Sequence, residues 1–132
     1  MIAADKDSYL AARRALFSAR ELLDDALGPA RWTTRALARD TLGCEVEPTS
    51  MYAVAWDLRG AVIRGAGNPR TAVAAVCFLV MVAVRRGARD SFSVPSLTIL
   101  NDSSTWEQVL DALDEAIGYV DVVLRRLPVP VV

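Results

Sequence analysis

The chain has 132 residues, 53% of them hydrophobic, with mean hydropathy +0.27 and a formal net charge of −1. That is enough apolar material for one domain to bury roughly two thirds of its unfolded surface, and it argues against extended disorder. A near-neutral charge gives no global field favouring nucleic acid or an anionic membrane, and neither is expected as a partner.

Missing residue types narrow the chemistry further. With no histidine, the Ser-His-Asp and Cys-His routes to an activated nucleophile are closed. So is the commonest zinc ligand, and two cysteines cannot form a four-thiolate site. Lys6 is the sole lysine, and there is no GxxxxGK[ST] or GxGxxG loop to cradle phosphate. The expectation is therefore a non-enzyme with no catalytic residue, cofactor or metal. The first residues lack a basic stretch followed by an apolar one, so no secretory leader is read, and cytoplasmic localisation is the default.

In chain order, the first helix is predicted from about Ser8 to Leu27, capped by Asp7 or Ser8 and stopped by Gly28-Pro29. Tyr9, Ala12, Leu16, Ala19, Leu23 and Leu27 form its apolar stripe. Residues 30–50 read as irregular. A second helix is predicted from Thr49 or Ser50, presenting Met51, Val54, Ala55, Leu58 and Val62 and ending at Gly65-Ala66-Gly67. Gly60-Ala61 would let another helix approach closely.

Asn68-Pro69 restarts the chain as cap and first helical residue. The run TAVAAVCFLVMVAV, residues 71–84, carries no charge. Apolar all round, it must be surrounded by lipid or by other helices. At ~1.5 Å per residue it spans about 21 Å, short of a ~30 Å hydrocarbon core, so it reads as a central helix over about 69–86. Cys77 would then be a buried small hydrophobe, and a reduced pair with Cys44 is expected rather than a disulfide.

Residues 87–103 form a second irregular segment in which Leu97-Thr98-Ile99-Leu100 is too short to type. The last helix follows a capping box, Ser104 with Glu107, and keeps helical period from Trp106 to Leu127 before Pro128. The expected fold is all-α: a single domain over 1–132, about four main helices around the central one, two irregular segments and an apolar, proline-containing tail at 127–132. That tail either docks in a groove or along a sheet edge, or folds back over the bundle or is disordered.

The irregular segments carry a resemblance. Trp32 lies in a post-helix loop, Ala38-Arg39-Asp40 comes with Gly43, Gly60-Ala61 falls on a helix, and Asn101-Asp102 stands ahead of a capped helix with Glu107 and Val109. This order resembles a small helical domain family of unknown function found in actinobacteria and their phages, over about residues 10–119. Members similarly show a Trp loop, a Gly-Ala helix and Trp-Asn-Asp before a T-x-x-E-V helix start. Here Trp56 and Leu58 stand where a cysteine often precedes the Gly-Ala pair, and Leu100 stands where tryptophan often precedes Asn-Asp. The resemblance implies a helical fold and an actinobacterial or phage origin.

Candidate binding residues are Trp32, Arg35, Asp40, Asn101 and Asp102. A carboxylate and an amide at Asn101-Asp102 could hold a polar ligand, but both residue types also serve turns and helix starts. Trp32 with Arg35, Arg39 and Asp40 could stack an aromatic ligand, or Trp32 could simply cover an end of the bundle. Arg64 and Arg70 are expected at one end of the helix pair and Arg85, Arg86 and Arg89 at the other, which argues against a single nucleic-acid groove. Asp111, Asp114, Glu115 and Asp121 read as a solvated face of the last helix. The favoured function is a protein-protein interaction module, which as a phage-encoded protein would act on a bacterial host factor and could self-associate as a homodimer. The alternative is a small-ligand binder or weak enzyme built on the five candidate residues, which requires them to converge with a buried, perturbed acid.

Overall fold

The computed structural model describes residues 5–26, 28–87 and 93–127. The chain is mostly helical, with five helices and one small two-stranded sheet. Helix α1 runs Lys6–Leu23, capped by Asp5, whose carboxylate accepts the Ser8 N–H at 2.9 Å. The cap thus precedes the expected Asp7 or Ser8. Ala12, Leu16, Ala19 and Leu23 of the expected stripe are buried, while Leu27 lies outside the described residues.

The segment after α1 is not wholly irregular. Strands β1 (Ala38–Arg39) and β2 (Ala55–Trp56) pair antiparallel, with Ala38 opposite Trp56. This corrects the second predicted helix, which begins eight or nine residues late. Helix α2 is Leu58–Ala66, and the Oδ1 of its cap Asp57 accepts the Gly60 N–H at 2.6 Å. Met51 and Val54 mimic helical spacing, yet Met51 is exposed and precedes the strand. With Met51 84% exposed, its helical spacing has no buried side to serve.

Glycine roles also divide differently. A Cβ at Gly60 would overlap the Leu37 carbonyl oxygen, so Gly60 admits a strand-side loop, not a helix. Gly65 is the residue that admits α1: a Cβ there would come within 2.9 Å of the Ser18 Cβ.

Helix α3, Pro69–Arg85, starts as its sequence implies, with the Asn68 side chain accepting the Thr71 N–H at 2.9 Å. It packs against all four other helices. It is not surrounded, however. Val73, Cys77 and Met81, spaced by four residues and hence on one side of the helix, are exposed. This corrects the expectation of a buried Cys77. Both cysteines are free.

The segment 87–103, expected to be irregular, contains helix α4, Val94–Ser103, with Pro95 in its first turn. Helix α5, Trp106–Arg126, is capped one residue later than expected. Thr105 accepts the Gln108 N–H at 3.2 Å, and the Gln108 side chain accepts the Thr105 N–H at 2.9 Å. The Trp106 indole donates at 2.8 Å to the Leu23 carbonyl at the end of α1, which also accepts the Asp25 N–H at 3.1 Å. Among the described residues, no helix is long and apolar enough to cross a membrane. The tail from Pro128 onward lies outside them.

Candidate functional site

Two features stand out, one polar and internal, the other apolar and open. The first centres on Asn101. In α4, and not in a loop ahead of a helix, its side chain is 1% exposed. Its Oδ1 accepts the Trp32 indole N–H at 2.8 Å and the Leu58 backbone N–H at 3.0 Å. Its Nδ2 donates to the Thr33 carbonyl and to Asp102 Oδ1, each at 3.1 Å. Two accepted and two donated bonds exhaust what an amide side chain can make.

Asp102 Oδ1 also accepts the Arg35 N–H at 3.2 Å, and Arg35 sits at φ 62°. That is left-handed backbone, costly for a residue with a Cβ, and the Asp102 bond helps hold it. Four of the five sequence candidates, Trp32, Arg35, Asn101 and Asp102, are thus brought together. Asp40 is not. Its carboxylate accepts the Leu42 and Cys44 N–H groups, each at 2.9 Å, and closes its own turn. No cation lies over Trp32 among the described residues; the cation–π pairs are Arg64 with Trp56 and Arg85 with Tyr119. Arg39 instead ties the loop, donating to Thr33 Oγ1 and to the Gly43 and Thr34 carbonyls.

An acid that sequence reading missed joins this cluster. Asp57 is 6% exposed. Burial pushes its carboxyl up to about 7; the Gly60 amide opposes the rise, the Asp102 charge adds to it, and the Arg59 charge opposes it. Its signal was available: a lone acid between Trp56 and Leu58 has apolar neighbours on both sides.

The second feature is a groove of about 530 Å³ between α2, α3 and the start of α4. Ile63, Val73, Val76, Cys77 and Val80 supply most of its wall, and among the described residues Arg59 is the one charged residue lining it. None of the five sequence candidates lines it. The sequence could not single it out, because α3 is apolar on every side and only packing decides which side stays open.

Several of the remaining charges are paired within the chain. Asp114 takes Arg20 at 2.6 Å, Asp121 takes Arg13 at 2.7 Å, and Glu115 takes Arg86 at 3.1 Å and Arg85 at 3.4 Å. Three of these acids thus tie α5 to α1 and to the end of α3 while lying on a solvent-facing side of the helix, where Asp111 and Asp114 are exposed; Asp111 has no such pair among the described residues. Arg64 donates to the Ser50 carbonyl at 3.0 Å, and Arg89 lies outside the described residues. Among those residues no group of three or more potential ligands could hold a metal ion.

Loops tied by a buried amide and an open apolar groove belong to a small, mostly helical domain. A family model described as a family of unknown function, DUF6197, matches residues 8–119, and the chain belongs to that family. No curated protein and no solved structure matches it.

Proposed function

We propose that the chain is a non-enzymatic interaction module, and that the α3 groove receives an apolar segment of a protein partner. The observation that carries this reading is the exposed apolar side of α3. Val73, Cys77 and Met81 stand one above another beside a groove of about 530 Å³, in a helix whose other sides are packed. Apolar surface of this kind, left open next to a filled core, marks interaction sites. The partner is a cytoplasmic bacterial protein, a host factor for a phage-encoded chain, or a second copy of this chain.

A capture experiment tests this. With Cys44 replaced by serine, Cys77 is the only thiol and can be blocked with a bulky maleimide. From an actinobacterial lysate, the unblocked protein should retain one stoichiometric, salt-resistant partner and the blocked protein should lose it. Recovery of the bait alone in both arms contradicts the proposal.

One observation favours a second reading, a ligand binder or weak enzyme at the polar cluster: the Asp57 carboxyl, raised to about 7 beside Asp102. It is the weaker reading, because Asn101 spends all four of its hydrogen bonds inside the fold and Asp57 does not line the groove.

A further inference from the structure

We infer that the segment docked in the α3 groove carries a carboxylate that pairs with Arg59; this inference rests on the groove being the docking site. The wall is apolar apart from a few neutral polar groups such as Thr49 and Asn68, and among the described residues Arg59 is the single charge on it. Arg59 is half-buried and makes no hydrogen bond or ion pair with any described residue. Arg20, Arg39, Arg64 and Arg86 each hold a carboxylate or a carbonyl, and Arg14, Arg70, Arg125 and Arg126, which hold neither among the described residues, are exposed to water, whereas Arg59 is half-buried in the groove wall.

The acid beside Arg59 in sequence does not serve it as a hydrogen-bonded partner. Asp57 is buried beneath the helix start and accepts the Gly60 amide. Arg59 is the second residue of α2, where the positive end of the helix dipole adds to its charge. An occupant that covers the groove strips water from this guanidinium. An apolar or cationic segment would leave it desolvated and unpaired, which is costly. A carboxylate offers two parallel N–H···O bonds in return. The same asymmetry gives selectivity, since segments without an acid are penalised and not merely unrewarded.

The groove follows α3 from Pro69 to Val80, about 16 Å at ~1.5 Å per residue. That matches about five residues of extended chain or about three turns of helix. The occupant is therefore a short apolar run with one aspartate or glutamate.

Panning a random peptide display library on the full chain tests this. Groove binders are those displaced when Cys77, as sole thiol, carries a bulky maleimide. The inference predicts that they carry an acid within an apolar run and lose roughly tenfold in affinity on Arg59→Gln, about 1.4 kcal/mol, with part retained on Arg59→Lys. Groove binders that lack acids, or that bind Arg59→Gln equally well, overturn the inference while leaving the groove reading intact. If no enriched peptide is displaced by the Cys77 adduct, the groove reading falls and the inference with it. Matching thermal melts of the three proteins establish that Arg59 variants stay folded.

Discussion

Trp32 and Asn101, 69 positions apart, are joined by an indole N–H donated to the amide oxygen at 2.8 Å. The same oxygen accepts the Leu58 N–H at the start of α2, and the same amide nitrogen reaches the Thr33 carbonyl. One buried side chain in α4 thus fixes the loop after α1 and the first turn of α2 together.

Removing Asn101 leaves two buried donors and one acceptor without partners, each costing ~1–3 kcal/mol. Asn101→Ala is therefore expected to lower stability by about 3 kcal/mol or more in urea unfolding. Trp32→Phe keeps an aromatic six-membered ring but removes one donor and part of the indole's packing, while Asn101 still holds Leu58, so about 1–2 kcal/mol is expected. Equal losses for the two would mean that the ring's packing, and not the shared amide, ties the loops.

Gly60 and Gly118 are predicted to respond oppositely to alanine. At Gly60 the new methyl overlaps the Leu37 carbonyl oxygen, so backbone must move; a loss of about 3 kcal/mol or more is expected. At Gly118, inside α5, nothing lies within 4 Å, and alanine should stabilise by ~0.5–1 kcal/mol. Thermal melts of both variants check the pair.

Asp57 sets a pH dependence of definite sign. Its folded value of about 7 lies above the ~3.9 of an unfolded aspartate, so the folded state binds the extra proton between those values. The stability linked to this proton is full below about pH 4 and is lost as pH rises through about 7. Asp57→Asn stays neutral and can still cap α2. Relative to the native chain, it should gain about 2 kcal/mol or more between pH 4 and pH 8 in urea unfolding. A difference independent of pH would mean that Asp57 does not titrate in this range.

The start of α5 distinguishes two cap registers. Thr105→Ala removes the side-chain acceptor for the Gln108 N–H and should cost about 1 kcal/mol. Ser104→Ala should be within about 0.5 kcal/mol of neutral. The reverse order in thermal melts would restore the Ser104–Glu107 box.

Much of the fold is legible where local chemistry and packing agree. Asn68-Pro69 marks α3 because a capping amide and a proline both serve a first turn. The α5 stripe is legible because Val109, Leu113, Ala116 and Val120 keep one period along a long helix. Where the two disagree, sequence misleads. Met51 and Val54 keep helical spacing ahead of Asp57, but the tertiary structure puts strand β2 between them and the helix. Helix α4 was hidden because Leu97-Thr98-Ile99-Leu100 is short, although Ser93-Val94-Pro95 carries a helix-start pattern. Of the polar candidates, Trp32, Arg35, Asn101 and Asp102 were found as residue types suited to hydrogen bonding. Their convergence depends on contacts across more than 60 positions, which no local pattern encodes.

The most direct test of the central claim is site-specific photo-crosslinking in the cell. A photoreactive side chain placed at Val73, on the exposed lip of the groove, is compared with one at Leu42, equally apolar, more exposed and not lining the groove. The account predicts one discrete protein adduct from position 73, lost when Val76→Arg fills the groove, and none from position 42. Adducts of the same pattern from both positions, or from neither, would contradict it.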